Sequence, residues 1–462
     1  MLWIPIDRDG NVPFIKQIYQ YVRGQILCGA LQAGEKLPST RELSNHLGVS
    51  RNTILEAYEQ LIAEGFLITR RGAGTFVAEG TFLEKRNRQK MNMTIKSEQD
   101  ADVIDFRSGI PDLTLFPRKV WAKLSHEIWN DAEAHTFGYD QPEGRIELRE
   151  VLSNYLLKTR GVTCHPEQII ITSGATQALT LVAKLLLSLD DHVVIEDPIT
   201  TDIQTIFQVT GASLYPISVD EKGMKTTLLP DHLDPKFVFI TPSHQFPLGS
   251  TLPIQRRIEL IQYVREKNCY IVEDDYDSEF RFEGLPISSV QGLEQDRVIY
   301  IGSFSKILSP ALRIGYVILP SNLINTCRDL KWFSDLHTPS IDQLVLTRFM
   351  KDGYLERHIL KMKKLYKRRR DVLMDELIKF FSEKITFLGY TTGLHLVAEW
   401  KDITFTERIL NQLEEQRVKV YPVEDHTIDK GKHRNRLVLG YGHLSTEKIT
   451  EGVGRIKDAL GK

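Results

Sequence analysis

Apolar residues along this chain keep two different rhythms. In the first part they recur three and four positions apart, the spacing that lines one face of a helix. Pro13 opens such a stretch, Ile15, Ile18, Tyr19, Val22, Ile26 and Leu27 form its apolar side, and Gly29 closes it. Ser39 and Glu42 make the pattern of a capping box, with Leu43 and Leu47 as the buried side of a short second helix. Gly48-Val49 turns the chain, and Ser50 caps a third helix to about Ala63, predicted to turn Ile54, Tyr58, Leu61 and Ile62 inward. Phe66 to Arg71 then reads as extended, Gly72-Ala73-Gly74 as a turn and Thr75-Phe76-Val77 as the returning strand. Two short helices joined by a glycine-containing turn are a helix-turn-helix, and the hairpin is its wing.

The second rhythm begins near Ile104. Continuous apolar runs end in polar clusters and alternate with amphipathic stretches. Ile169-Ile170-Ile171 leads to Thr172-Ser173-Gly174-Ala175-Thr176, Val193-Val194-Ile195 to Glu196-Asp197-Pro198, and Phe237 to Ile240 leads to Thr241-Pro242-Ser243-His244. Tyr270-Ile271-Val272 leads to Glu273-Asp274-Asp275-Tyr276, and Val298 to Ile301 leads to Gly302-Ser303-Phe304-Ser305-Lys306. Runs of this kind belong to a mainly parallel sheet covered on both faces. Ligands bind such sheets outside the carboxyl ends of the strands, where every one of these clusters falls. The expected organisation is a DNA-reading domain over 1–80, a flexible linker over 81–103, where basic residues lie among polar ones with no apolar period, and an α/β ligand-binding domain over 104–462.

Composition narrows the function. With 462 residues and 42% hydrophobic content the chain can bury sizeable cores, and a net charge of -2 confines any DNA contact to a local patch. The 4 cysteines form no Cys-x-x-Cys pair and the histidines are scattered, so neither a disulfide framework nor a metal site is expected. No apolar stretch approaches membrane-spanning length and the start of the chain is charged, so a cytoplasmic protein with no membrane partner is expected. The basic run from Lys361 to Arg370 carries Met362, Leu365 and Tyr366 at helical spacing, which favours an amphipathic helix over a nucleic-acid patch.

The chemistry concentrates at two places. Arg51, Asn52 and Thr53 lie in the first turn of the third helix, whose N-terminal residues meet base edges when such a helix enters the major groove, and Arg70 and Arg71 lie in the wing. In the second domain, Lys306 is the residue expected to hold an aldehyde cofactor, pyridoxal 5'-phosphate (PLP), provided burial and nearby cations lower its pKa. Ser173-Gly174-Ala175-Thr176 opens a helix and offers backbone N–H groups to a phosphate, with Ser303, Ser305 and Arg313 as further ligands. An acid must face the pyridine nitrogen, Asp274 or alternatively Asp275, and Tyr276 would meet the ring oxygen.

Leu37-Pro38-Ser39-x-Arg41-x-Leu43, Gly48-Val49-Ser50-Arg51-x-Thr53 and Gly72-x-Gly74-Thr75-Phe76-Val77 resemble the winged helix-turn-helix of the GntR regulators. That resemblance implies operator contacts by Ser39, Arg41, Ser50, Arg51, Asn52, Thr53, Arg71 and Gly72. Residues from 104 onward resemble the class I aminotransferases of PLP fold type I, with a large and a small subdomain. The Phe137-Gly138-Tyr139 segment then implies that Tyr139 reaches the phosphate of a partner subunit's cofactor in a homodimer, and Arg436-Leu437-Val438-Leu439 that Arg436 binds an effector carboxylate. A GntR head joined to such a body is similar to the MocR/GabR subfamily. The Thr241-to-Pro247 and Glu273-to-Arg281 segments fit it, and His244 is placed on the effector. The implied function is a transcriptional regulator that binds a double-stranded operator and senses a small amino compound by external aldimine formation at Lys306. The alternative is an active aminotransferase carrying an auxiliary DNA-binding domain. Phe246 stands where aminotransferases commonly have an asparagine, which predicts at most a half-reaction. Thr200 replaces the aromatic residue expected to stack on the cofactor. Asp202, where some members have an arginine, predicts an effector whose far end is neutral or cationic.

Overall fold

The computed structural model describes residues 4–82 and 102–461. The expected linker, 81–103, lies outside the described residues apart from Thr81, Phe82, Asp102 and Val103. The chain divides into two compact units, residues 1–97 and 98–462.

The first unit holds α1 (Phe14–Leu27), α2 (Thr40–Leu47), α3 (Arg51–Ala63) and a hairpin of β1 (Leu67–Arg70) and β2 (Gly74–Val77). Ile18, Val22 and Ile26 of α1 pack with Leu43, Leu47, Ile54, Ala57, Tyr58 and Leu61 in one core. The inward face of α3 therefore includes Ala57, while Ile62, expected inside, is exposed. Positions 54, 57, 58 and 61 already complete a helical stripe, and residue 62 falls beyond its edge. Ser39 and Glu42 form the reciprocal capping box, and Gly48 ends α2 in the left-handed region that a residue with a Cβ enters at a cost. In the wing, the Arg70 guanidinium lies 4.9 Å from the centroid of the Phe76 ring.

The second unit opens with β3 (Ile104–Asp105), α4 (Arg118–Asp131) and α5 (Ile146–Arg160). Strands and helices then alternate: β4 (Ile169–Thr172), α6 (Ala175–Leu186), β5 (His192–Asp197), α7 (Thr201–Gln208), β6 (Ser213–Asp220), β7 (Gly223–Met224), β8 (Phe237–Ile240), α8 (Ile254–Glu266), β9 (Tyr270–Asp275), β10 (Val298–Ser303) and β11 (Gly315–Ile318). These strands form an 8-stranded sheet ordered β4-β11-β10-β9-β8-β5-β6-β7. The run from β10 to β6 is parallel; β11 runs antiparallel to both β10 and β4. Alternate strand residues feed opposite faces, as the pleat requires. Ile170, Val193, Phe239, Val272 and Ile301 join one core with α6, whereas Ile171, Val194, Val238, Ile271 and Tyr300 enter the cores on the other side.

After α9 (Ile324–Asp335) and α10 (Ser340–Lys351), the 28-residue α11 (Tyr354–Phe381) leads into a smaller subdomain. It comprises β12 (Ile385–Leu388), β13 (His395–Trp400), α12 (Glu407–Glu415), β14 (Val418–Lys419), β15 (Tyr421–Pro422), β16 (Arg436–Gly440) and α13 (Thr446–Ala459). The basic stretch of α11 buries Met362 and Tyr366 in this subdomain's core, and Arg369 and Arg370 pair with Asp112 and Glu283. It is the amphipathic helix that the spacing predicted. β3 pairs in parallel with β14, so the beginning of this unit belongs to its smaller subdomain.

Candidate functional site

The carboxyl ends of β4, β9 and β10, with the turn before β11, carry the predicted cofactor residues other than Tyr139. Lys306 follows β10, and Gly109 lies against it: a Cβ built on Gly109 would fall 3.2 Å from Lys306 Nζ. Burial lowers the Lys306 pKa, Asp277 and Asp274 oppose that shift, and Arg107 and Arg313 reinforce it. The amine therefore loses its proton more readily than a free lysine, which a nucleophile toward an aldehyde requires.

Two adjacent acids on β9 take opposite sides of the strand. Asp275 is committed behind the site: Arg160 Nε lies 2.7 Å from its Oδ2, and Tyr300 Oη donates to the same atom at 2.5 Å. Arg160 also donates to Ser243 Oγ at 2.5 Å, which anchors the loop after β8. Asp274 is the free one, its Oδ1 buried without a hydrogen-bond partner. Burial and the Asp275 charge push its pKa up to about 7, while Lys306 opposes them. A buried acceptor left open in this way fits a protonated ring nitrogen, which would supply the missing donor.

The loop before α6 has the form a phosphate would need. Gly174 precedes α6 with φ +85, a backbone state that favours glycine, and Arg313 packs on it: a Cβ at Gly174 would lie 2.9 Å from Arg313 Nη2. Arg313 Nη2 donates to Ser173 O at 2.5 Å, and the Ser173 N–H donates to Gln177 Oε1 at 2.7 Å. The loop is thus fixed with the first-turn N–H groups of α6, Ala175 and Thr176 among them, left for an anion. On the other side, the Ser305 N–H donates to Ser303 Oγ at 3.1 Å, holding both hydroxyls at the end of β10. Gly174→Ala is expected to displace Arg313 and weaken phosphate-dependent cofactor retention by about 1–3 kcal/mol, measurable as the PLP dissociation constant.

Tyr276 donates its hydroxyl to His244 O at 2.8 Å. His244 Nδ1 pairs with Asp277 at 2.9 Å, and its ring centroid lies 4.9 Å from that of His395. Spacing along the chain did not show this buried His-Asp-His group, because its members come from different strands and loops. Ligand-capable atoms of the three residues lie within 4.8 Å of one another. Gly393 packs onto them so closely that a Cβ there would fall 2.2 Å from Asp277 Oδ2. Burial, with His244 alongside, pushes the His395 pKa down to about 3, so that ring stays neutral. The group is a close-packed support behind Tyr276. Phe246 joins the same wall, 6.3 Å from Tyr276 and 5.1 Å from His426 between ring centroids.

The structure does not bring Arg436, expected on an effector carboxylate, to this cluster. It opens β16, bonded to Glu399 Oε1 at 3.1 Å and to His433 Nδ1 at 2.9 Å. On that strand Gly440, not Arg436, meets the segment beside Lys306: a Cβ on Gly440 would lie 2.2 Å from Arg107 O. Thr200 caps α7, its Oγ1 accepting from the Asp202 N–H at 3.3 Å, and Asp202 is exposed. Tyr139 is 82% exposed, with His337 edge-on at 6.4 Å.

In the first unit, Arg41, Arg51, Asn52, Arg71 and Gly72 are all exposed. Ser39 and Ser50 spend their hydroxyls as helix caps, and Ser50 Oγ and Thr53 Oγ1 are 2.8 Å apart.

A winged helix-turn-helix and a large α/β body with a lysine pocket define a two-part regulator. The family comparisons agree with each part. Residues 14–77 match the bacterial regulatory proteins of the gntR family, and residues 101–456 match aminotransferase class I and II. The uncharacterized HTH-type transcriptional regulator YdeL of Bacillus subtilis is 33% identical over 98% of both chains. The probable rhizopine catabolism regulatory protein MocR of Rhizobium meliloti is 31% identical over 98% of this chain and 95% of its own. Among solved structures, a kynurenine aminotransferase of Pyrococcus horikoshii in complex with PMP superposes with a TM-score of 0.73 at 29% identity, covering 78% of this chain and 91% of the other. The chain belongs to the MocR-like HTH-type transcriptional regulators, in which a GntR head is joined to an aminotransferase-fold body. That fold family is PLP-dependent. Among the described residues no helix is long and apolar enough to cross a membrane.

Proposed function

We propose that this regulator binds PLP at Lys306 and uses it to sense a small primary amine, changing the affinity of a dimer for a double-stranded DNA operator. The observation that carries the reading is the pairing, in one pocket, of a lysine with a lowered pKa and a buried acid with an open oxygen. Lys306 would hold the cofactor, Asp274 its ring nitrogen, and Ser173, Gly174, Ala175, Thr176, Ser303, Ser305 and Arg313 its phosphate. Tyr276 would lie at its ring oxygen, and Tyr139, exposed in one copy, would reach the phosphate of the partner's site. Bound PLP would supply an aldehyde carbon at which the lysine and an incoming amine can exchange.

The protein's own groups then do the rest. Asp274 keeps a proton at the ring nitrogen, and Arg313 anchors the phosphate while the lysine comes and goes. Tyr276, its proton committed to His244 O, presents an oxygen on a fixed support. An amine that contacts the two states of the body differently shifts their populations by that difference in affinity. Phe246 offers a ring in place of an amide, consistent with sensing rather than sustained turnover.

Titration of the purified protein with amines, following visible absorbance and operator binding together, tests the reading. Coupled changes are expected; absorbance changes that leave operator affinity untouched would refute a sensing role. In the head, Arg51→Ala is expected to cost about 1–3 kcal/mol of discrimination at one base pair, while PLP absorbance stays as in the wild type. Binding to operators substituted one base pair at a time measures it.

A further inference from the structure

The segment from β3 crosses the edge of the smaller subdomain and reaches the lysine. Phe106 is fully buried in that subdomain's core, whereas Arg107 beside it is exposed. The Arg107 carbonyl lies on the α-carbon of Gly440, and Gly109, only a short step further along, lies on Lys306. Arg107 is therefore held at the lip of the lysine pocket by packing at both ends of a short, bent stretch.

Other charges named in this unit are already spent. Arg313 is bonded to Ser173 O and stacked on Gly174. Arg160 is paired with Asp275, Arg369 with Asp112 and Arg436 with Glu399. The nearest acid on the segment, Asp105, accepts the Tyr421 hydroxyl at 2.9 Å. Asp277 is occupied by His244. Among the described residues, the Arg107 guanidinium has no hydrogen-bond or ion-pair partner. Its charge nevertheless reaches into the site, lowering the pKa of Lys306 and opposing the upward shift of Tyr421. In the proposed site one cation, Arg313, would be accounted for by the cofactor phosphate. The second asks for a second anion, and the fork of a guanidinium suits a carboxylate.

We propose that Arg107 is the specificity residue of the sensor and binds a carboxylate on the molecule whose amine approaches Lys306, so that the effector is an amino acid rather than a simple amine. The inference rests on the PLP-sensing reading above. It also assigns the role expected of Arg436 to a residue at the other end of the small-subdomain contact.

The test uses the full-length protein saturated with PLP and two matched pairs, L-alanine with ethylamine and L-lysine with 1,5-diaminopentane. Dissociation constants per free-base amine are read from visible absorbance. Each amino acid is expected to bind at least about tenfold more tightly than its decarboxylated partner. Arg107→Gln is expected to weaken the amino acids by about 10- to 100-fold and leave the amines unchanged, with Arg107→Lys recovering part of the loss. Arg436→Gln should change neither. Equal affinities in the wild type, equal loss for both members of a pair in Arg107→Gln, or a selective loss in Arg436→Gln would each overturn the assignment while leaving PLP sensing intact. A protein that shows no PLP absorbance band dependent on Lys306 overturns the parent reading, and this one with it.

Discussion

Lys306→Ala is expected to abolish the visible absorbance band of the PLP-treated protein and every amine-dependent change in operator affinity, while the head still binds DNA. Borohydride reduction of the wild type followed by peptide mass analysis should place the cofactor's mass on the peptide containing residue 306. Among the described residues, Lys331 is the lysine that could compete. Burial also lowers the Lys331 pKa, but its ammonium is fully enclosed and bonded to Asp335 at 2.5 Å. Lys306 differs because the acids near it are engaged elsewhere or reserved, Asp277 with His244 and Asp274 with an open oxygen. A residual band in the alanine variant, or label on another peptide, would show that the pocket has been assigned to the wrong amine.

Arg160→Ala is expected to be the most damaging single change away from the pocket lining. Arg160 and Asp275 are each only 4% exposed at the side chain, so removal of the guanidinium strands a buried carboxylate. Breaking such a pair costs about 3–5 kcal/mol, because the remaining charge keeps its desolvation penalty and loses its partner. Burial alone would disfavour the Arg160 charge, yet Asp275 and Tyr300 hold its pKa above the ordinary value. The variant also releases Ser243, next to His244, and so loosens the support behind Tyr276. The urea midpoint of the second unit measures the effect; a midpoint unchanged within error would mean that Asp275 is neutralised by another route.

Most of the pocket could be read from the chain because parallel strands advertise their ends. An apolar run that stops at Ser173-Gly174 or at Glu273-Asp274-Asp275 marks both a buried strand and the edge of a cleft. From the sequence Asp274 is preferred with Asp275 kept as the alternative, since neighbouring strand residues differ only in which face they take, and that depends on where Arg160 and Tyr300 arrive. Arg436 is engaged away from the lysine for a related reason. Its motif located the strand correctly, but which residue of β16 meets the lysine segment is set by the packing of Gly440 on Arg107. The antiparallel insertion of β11 and the pairing of β3 with β14 join segments far apart in sequence and leave no local periodicity to find. Ile62 shows the opposite limit, where a helical stripe was located but drawn one residue too wide.

The pairing of β3 with β14 also decides where the polypeptide departs toward the DNA-reading unit. Asp102, just before β3, is clasped by Arg455 of α13 and by Arg417, each at 3.1 Å. The chain thus enters the second unit at the smaller subdomain, not at the large sheet that carries the lysine. A movement of that subdomain against the sheet would carry Asp102 with it directly, through the β3–β14 pairing and its two ion pairs, with no relay of side chains in between.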